Sequence, residues 1–218
     1  MKEAAFMSEL LGKIAETLIT GNADKVVTLT KEALDAGASP QEILDKGLLA
    51  GMDVVGQRFK TGEMFIPEVL RCVKCMHSSM EILRPLLAET GAESIGTFVI
   101  GTVKGDLHDV GKNLVGMMFE GAGFNVIDLG IDKEPQAFVD AIKEHKAKLV
   151  GLSALLTTTM PKVGETINAI KEAGIRDQVK IMVGGAPVTA AFAEKVGADG
   201  YASNAASAVE KAKQLLGS

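Results

Sequence analysis

The chain has 218 residues, 47% of them hydrophobic, and a formal net charge of −5 at pH 7. This length predicts one or two domains with a sizeable core, and no apolar run approaches the roughly 20 residues of a membrane span. The acidic balance, the absence of Trp and the single Tyr argue against nucleic acid as the main partner. Two cysteines make no disulfide framework, and the amphipathic N-terminus does not resemble a signal peptide, so a reducing, cytoplasmic environment is expected.

The first part of the chain, residues 1–89, is predicted to form a small bundle of four helices joined by short connections. Asn22 is the expected N-cap of the second helix, and the segment Ser39–Glu42 forms a capping box with Pro at the first helical position of the third. Pro85 is expected to kink or weaken the end of the fourth helix. The helices are expected at about 2–19, 23–36, 40–60 and 67–89.

The two cysteines lie in a Cys-x-x-Cys spacing inside the fourth helix, at Cys72 and Cys75. Zinc would need further Cys or His ligands at suitable spacing, and His77 is the only nearby candidate. We therefore predict that both are buried thiols on the apolar stripe of the helix rather than metal ligands.

A polar segment of small residues, 89–94, is the predicted linker, and from Ile95 onward strand and helix patterns alternate. Five such units predict a parallel, doubly wound sheet with helices on both faces, in residues 95–218. The flavodoxin-like strand order is expected by analogy with this fold class. Strands are expected near 97–103, 124–129, 148–153, 179–184 and 198–202, and helices near 109–121, 134–146, 160–174, 188–196 and 204–216.

The most informative segment contains His108, which follows the first predicted strand and precedes the helix expected at 109–121. Ligands of open α/β sheets bind at this carboxyl edge. Asp106 stands two residues before His108 and can accept a hydrogen bond from the ring nitrogen that does not face a metal, which fixes the tautomer. The spacing Asp-x-His-x-x-Gly is completed by Gly111.

Other interpretations of this segment use the same residues. Asp109 suits the N-cap of the following helix, and a single His near an Asp is common on protein surfaces. The stretch from Gly105 to Lys112 also resembles a phosphate-binding loop. That motif needs four residues between its glycines and a hydroxyl after the lysine, whereas here five intervene and Asn113 follows.

Two later strands also end in small or hydroxyl residues, at Ser153 and at Gly184-Gly185. Taken singly, Ser153 could cap a helix and the glycine pair could make a tight turn. Because the carboxyl ends of parallel strands share one edge of the sheet, we expect both loops to lie near His108.

Taken together, these segments resemble the signature of the corrinoid methyl-carrier proteins of methyltransferase systems and of the cobalamin-binding module of methionine synthase. The resemblance covers nearly the whole chain. Its elements are Asp106-x-His108-x-x-Gly111, Ser153-x-Leu155 and Gly184-Gly185.

The resemblance implies that cobalamin or a related corrinoid is the cofactor and that His108 is the lower ligand of its cobalt. It implies that Asp106 tunes this ligand and that Ser153 is the hydrogen-bond partner of Asp106. The same likeness implies a slot for the cofactor's nucleotide tail. Its expected lining is Gly111, Ser153, Leu155, Thr157, Gly184, Gly185, Ala186, Tyr201 and Ala202.

The helical bundle also has a counterpart in the family. The segment 59–67 resembles the cap over the upper face of the corrin, where Phe59 and Ile66 would shield a methyl group. From spacing alone, both residues also suit an ordinary bundle core.

The function that the resemblance implies is transfer of a methyl group on cobalt. A donor-specific methyltransferase would load it, a second methyltransferase would deliver it to tetrahydrofolate or a thiol, and a reductive activase would be a further partner. The chain itself shows no complete active site. The alternatives are a cobalamin-dependent sensor and the small subunit of a cobalamin-dependent mutase; the methyl donor is left open.

Overall fold

The computed structural model of the chain describes residues 2–90 and 95–217. It contains two compact units, one formed by residues 1–93 with 120–123 and the other by residues 94–119 and 124–218. Most of the predicted linker, residues 91–94, lies outside the described residues. Within the described ranges, no helix combines the length and the apolar character needed to cross a membrane.

The second and third helices of the helical unit start at the capping residues that the sequence predicted. The side chain of Asn22 accepts a hydrogen bond from the N–H of Lys25, and the capping box between Ser39 and Glu42 is formed as predicted. Its elements are α1 (Lys2–Ile19), α2 (Ala23–Asp35), α3 (Pro40–Glu42), a π-helical segment (Ile43–Leu49), α4 (Ala50–Thr61) and α5 (Ile66–Thr90).

The predicted third helix is interrupted by the π-helical segment Ile43–Leu49, which the sequence pattern did not indicate. Two glycines of this region lie close to α1. A Cβ built on Gly47 would stand 3.0 Å from Cγ2 of Ile14, and one on Gly51 would stand 3.0 Å from the carbonyl oxygen of Ala15. Small residues here therefore let two helices approach closely. Pro85 lies inside α5, which continues to Thr90.

Cys72 and Cys75 are both free and buried, as predicted. The thiol of Cys72 donates a long hydrogen bond of 3.5 Å to the carbonyl oxygen of Ile19. Burial raises the pKa of both thiols, that of Cys75 to about 11, because the charged thiolate loses its hydration. Both side chains therefore act as small apolar groups of the bundle core.

The second unit has a five-stranded parallel sheet in the order β2-β1-β3-β4-β5, which is the flavodoxin-like order expected. The strands are β1 (Thr97–Thr102), β2 (Asn125–Asp128), β3 (Leu149–Ser153), β4 (Lys180–Gly184) and β5 (Gly200–Tyr201). The helices are α6 (Val110–Gly121), α7 (Pro135–His145), α8 (Met160–Glu172), a 3-10 turn (Arg176–Gln178), α9 (Ala190–Val196) and α10 (Ala205–Leu216).

Neighbouring residues of β1 show that helices cover both faces of the sheet. Phe98 stacks on Phe119 of α6 with ring centroids 4.0 Å apart. Val99, the next residue, belongs to the buried cluster that contains Phe138 of α7. Because successive strand residues point to opposite faces, α6 and α7 lie on opposite sides, and the predicted fold class is confirmed. The strand order reverses beside β1, so the loops after β1 and β3 are adjacent at the carboxyl edge.

Candidate functional site

The carboxylate of Asp106 joins the loop after β1 to the loop after β3. Its side chain is completely buried, and each of its oxygens accepts hydrogen bonds from a different loop. The donors to Oδ1 are His108 Nδ1 at 2.7 Å and His108 N at 3.1 Å. The donors to Oδ2 are Leu155 N at 2.7 Å, Leu156 N at 3.3 Å and Thr159 Oγ1 at 2.7 Å.

These hydrogen bonds set the charge of Asp106. Burial alone would raise the pKa of this carboxyl group. The donors from Thr159, Leu155 and His108 outweigh burial and hold the pKa well below its usual range. Asp106 is therefore an anion at neutral pH, and it accepts hydrogen bonds from donors in both the loop after β1 and the loop after β3.

His108 is held at the surface by this anion. Its side chain is 49% exposed, and Nδ1 is occupied by the hydrogen bond to Asp106. The carbonyl oxygen of His108 accepts a hydrogen bond of 2.8 Å from the hydroxyl of the buried residue Thr102. The ring and the backbone are thus both fixed, and Nε2 is the nitrogen left for a ligand.

The hydroxyl partner of Asp106 is Thr159 and not Ser153, so this part of the sequence prediction was wrong. Ser153 is the last residue of β3, in register with Thr102, and its carbonyl oxygen accepts from the N–H of Val103. No hydrogen bond joins its side chain to Asp106 in the described part of the chain. Thr159 lies six residues further on, at the start of α8, where the chain has turned toward Asp106. Its hydroxyl donates to the carboxylate, because a charged acceptor forms the stronger bond.

The other predicted residues of the α/β unit lie at the same edge of the sheet. Thr102, Ser153 and Gly184 are in register at the ends of three adjacent strands, and Tyr201 pairs with the residue before Gly184. A Cβ on Gly184 would be 3.8 Å from the carbonyl oxygen of Ala202. Leu155, Thr157, Gly185 and Ala186 are exposed in the loops that follow.

Glycine is present at positions 185 and 111 of the motif for different structural reasons. Gly185 has φ of +125°, and a Cβ there would stand 1.9 Å from the carbonyl oxygen of Ala154, so the fold itself requires glycine. Gly111 lies in the first turn of α6 with open space around its Cβ position. The fold would therefore accept a larger residue at position 111. Close approach of a ligand to the backbone would explain why this residue is glycine.

Phe59 and Ile66 belong to the helical unit, at the end of α4 and the start of α5. Phe59 is half-buried, whereas Ile66 is 43% exposed and its neighbour Phe65 is 66% exposed. Ile66 is therefore not part of the bundle core. The buried residue of this connection is Met64.

The edge around His108 suits a large, partly apolar cofactor. Leu107, Val110, Leu155 and Leu156 expose between 39% and 75% of their surface there, which is unusual for large apolar side chains grouped in loops. One imidazole nitrogen is available for a metal, and the hydrogen-bond geometry of the other favours ligation. The donor chemistry and the open space at Gly111 therefore fit a corrinoid.

Comparison with known families agrees with this site. Residues 96–210, which contain every site residue named in the α/β unit, match the model of a B12 binding domain. Residues 10–84 match a second model that is also described as a B12 binding domain.

Individual proteins resemble the chain over nearly its whole length. Dimethylamine corrinoid protein 1 of Methanosarcina acetivorans is 46% identical over 209 residues, 95% of this chain and 98% of that protein. Trimethylamine corrinoid protein 1 of the same organism is 42% identical, with coverages of 97% and 99%. Among solved structures, the methanol:cobalamin methyltransferase complex MtaBC of Methanosarcina barkeri contains a chain with a TM-score of 0.84 and 31% identity, and the match covers 96% of this chain and 80% of that one.

The residues at the carboxyl edge, the two matched models and the similarity along the full length thus agree. The chain belongs to the B12-binding family of corrinoid proteins, and its cofactor is cobalamin or a related corrinoid.

Proposed function

We propose that this protein carries a methyl group between two separate methyltransferases. One is specific for the methyl donor, and the other acts on tetrahydrofolate or a thiol acceptor; a reductive activase would restore carriers that have been oxidised. The observation that carries the proposal is the hydrogen bond of 2.7 Å between the buried Asp106 and Nδ1 of the exposed His108. It lies at the switch point of the sheet, inside the segment that matches the B12 binding domain.

When bound, the corrinoid supplies a cobalt centre that can accept and release a methyl group. His108 would hold the cobalt through Nε2, and Asp106 fixes the tautomer and orientation of the imidazole through Nδ1. Thr159 and the N–H groups of Leu155 and Leu156 keep Asp106 charged and in place. The ligand strength of the imidazole is thereby governed from inside the protein.

The remaining residues of the motif would hold the body and tail of the cofactor. Small residues at the ends of β3 and β4 would allow a tail to approach the backbone closely, and exposed apolar side chains would offer contacts for the corrin. The proposed contacts are Gly111, Ser153, Leu155, Thr157, Gly184, Gly185, Ala186, Tyr201 and Ala202.

For the helical unit we propose the role of a cap, in which Phe59 and Ile66 would shield the methyl group of the bound cofactor. The exposure of Ile66 supports this role, since an apolar side chain in a bundle core would be buried. The match of residues 10–84 to a B12 binding domain supports it as well.

The names of the similar proteins suggest which donor to test first. Two of them are dimethylamine and trimethylamine corrinoid proteins, so a methylated amine is the first class. A methanol:cobalamin methyltransferase complex contains a similar chain, which supports a separate methyltransferase as the partner that activates the donor.

The proposal is tested by mixing the reduced holoprotein with methylamines, methanol, betaine and methoxylated aromatics, and by following methylation of the cofactor optically. We expect stoichiometric methylation only when a donor-specific methyltransferase is added. Rapid methylation by a free donor would show that the chain is an enzyme in its own right. Failure with every donor and methyltransferase pair would also contradict the carrier role.

A further inference from the structure

The loop that presents His108 is held from outside by a residue of the loop after β2. Oδ1 of Asp132 accepts a hydrogen bond of 2.7 Å from the N–H of Gly105, and the N–H of Asp132 donates one of 3.0 Å to the carbonyl oxygen of Asp106. One residue thus binds the backbone of two consecutive residues just before His108.

Asp132 has a backbone conformation that few residues adopt. Its φ is +54°, and among the described residues only Lys146 shares a positive φ without being glycine. Lys146 ends helix α7, where this conformation is common, but Asp132 lies in a loop between a strand and a helix. Such a conformation is strained for a residue that carries a Cβ, and it persists where surrounding contacts enforce it. The two hydrogen bonds to the His108 loop are contacts of this kind.

Thr102 connects the same two loops. Its hydroxyl donates to the carbonyl oxygen of His108, its N–H donates to Gly130, and its carbonyl oxygen accepts from Lys133. The loop after β2 is therefore fastened to β1 on either side of Asp132. This makes Asp132 a fixed support for the loop that follows β1.

We propose that Asp132 is a positioning residue for the cobalt ligand. By binding Gly105 and Asp106 it keeps the loop in the single arrangement that directs Nε2 of His108 outward. The inference rests on the proposed function, because it takes His108 to be the lower ligand. It adds a residue that the Asp-x-His-x-x-Gly motif does not contain.

The expected effect on cobalt ligation depends on the fraction of the protein in which the His108 loop has the arrangement that binds cobalt. A ligand binds with an affinity reduced by the fraction of protein in the competent arrangement. Loss of a residue that orients a metal ligand typically costs about 10–100-fold. Removing the Asp132 carboxylate should therefore lower the ratio of His-ligated to unligated cobalt by about 10-fold.

Three variants separate the effects of the hydrogen bond, the negative charge and the backbone substitution. Asp132→Gly keeps the backbone conformation and removes the acceptor. Asp132→Asn keeps an acceptor oxygen and tolerates positive φ, but removes the charge that faces Lys104. Lys146→Gly is the matched control, since it makes the same backbone change at a site outside both loops.

The holoprotein would be labelled with nitrogen-15 histidine and reduced to cobalt(II), and the splitting by an axial nitrogen would be read by electron paramagnetic resonance. In the apoprotein, hydrogen exchange of the Gly105 amide would report the loop itself. We expect Asp132→Gly to lose ligation and amide protection together, and Asp132→Asn and Lys146→Gly to retain both.

The outcomes are distinguishable. Splitting that does not respond to histidine labelling in the parent protein would contradict the ligand assignment in the proposed function. If the splitting of the parent protein does respond to histidine labelling and Asp132→Gly shows the same splitting, Asp132 has no positioning role. Loss of ligation in Asp132→Asn would overturn the hydrogen-bond account.

Discussion

At the scale of single residues, the site is organised around a buried anion rather than around the exposed imidazole. Asp106 receives hydrogen bonds from two loops, and His108 receives its orientation from Asp106. Changes at His108 should therefore affect the cofactor, whereas changes around Asp106 should also affect the fold.

Replacing His108 with Ala should remove the axial protein nitrogen from the bound corrinoid and change its visible spectrum. His145→Ala is the control, because His145 ends α7, a helix whose residues take no part in the proposed site. The spectra of the reconstituted proteins would be compared at neutral pH. A His108→Ala spectrum identical to that of the parent would show that another group ligates the cobalt.

Thr159→Val should destabilise the protein by about 1–3 kcal/mol, because a buried carboxylate loses one of its donors. Ser153→Ala should cost less, since the Ser153 side chain does not bind Asp106. Urea unfolding curves of both variants would measure the difference.

The effect of Thr159→Val should depend on pH. The pKa of Asp106 is depressed in the folded state, so its contribution is complete above the unfolded pKa of about 4 and is lost as the pH falls toward the folded value. The gap between parent and variant should shrink on acidification. Equal costs for Ser153→Ala and Thr159→Val would contradict the assignment.

The sequence predicted His108 and Asp106 as a pair because both lie in one short segment. It did not predict the two residues that support them from other loops. Thr159 is 53 positions from Asp106, and Asp132 is 27 positions from Gly105. Such contacts depend on which loops meet at the sheet edge. A local signal existed for Thr159, which immediately precedes the Met160-Pro161 start of a helix.

At the scale of elements, the strands and helices of the α/β unit were predicted to within a few residues because their patterns are strong. The apolar run 97–103, for example, predicted β1, which the structure has at Thr97–Thr102. The π-helical segment Ile43–Leu49 was not predicted. A π-helical turn contains one extra residue, and the apolar pattern of the sequence does not reveal it when one face of the helix stays apolar.

Gly111→Ala should raise the stability of α6 by about 0.5–1 kcal/mol while it weakens corrinoid binding, because the space at Gly111 is left for the cofactor. Gly12→Ala in α1 is the matched control, since a Cβ there also meets nothing within 4 Å. It should gain stability without losing affinity. Thermal unfolding and absorbance titration would measure the two effects, and unchanged binding in Gly111→Ala would contradict the proposed contact.

The cysteines give a prediction for helix α5. The raised pKa of Cys75, about 11, and the burial of both thiols mean that little thiolate exists at neutral pH. Alkylation of the native protein at pH 8 should therefore be slow and should become fast in denaturant. Rapid alkylation of the native protein would show that α5 opens readily.

At the scale of the whole molecule, the proposed cap should protect the methyl group. Phe59→Ala and Ile66→Ala should each accelerate photolysis of the methylated holoprotein, because each removes part of the apolar cover. Phe6→Ala is the control, since Phe6 is an exposed aromatic residue of the same helical unit, 58% accessible. If all three variants decayed at the parent rate, the helical unit would not shield the ligand.

The two outer strands of the sheet limit how the protein can associate with others. β2 has four residues and β5 has two, so each edge offers few unpaired N–H and C=O groups to an added strand. A partner that added its own strand to this sheet would therefore form few hydrogen bonds with it. If partners are recognised through helices and loops instead, the proposed carrier could leave one partner for the next, and the short edges also guard against edge-to-edge aggregation.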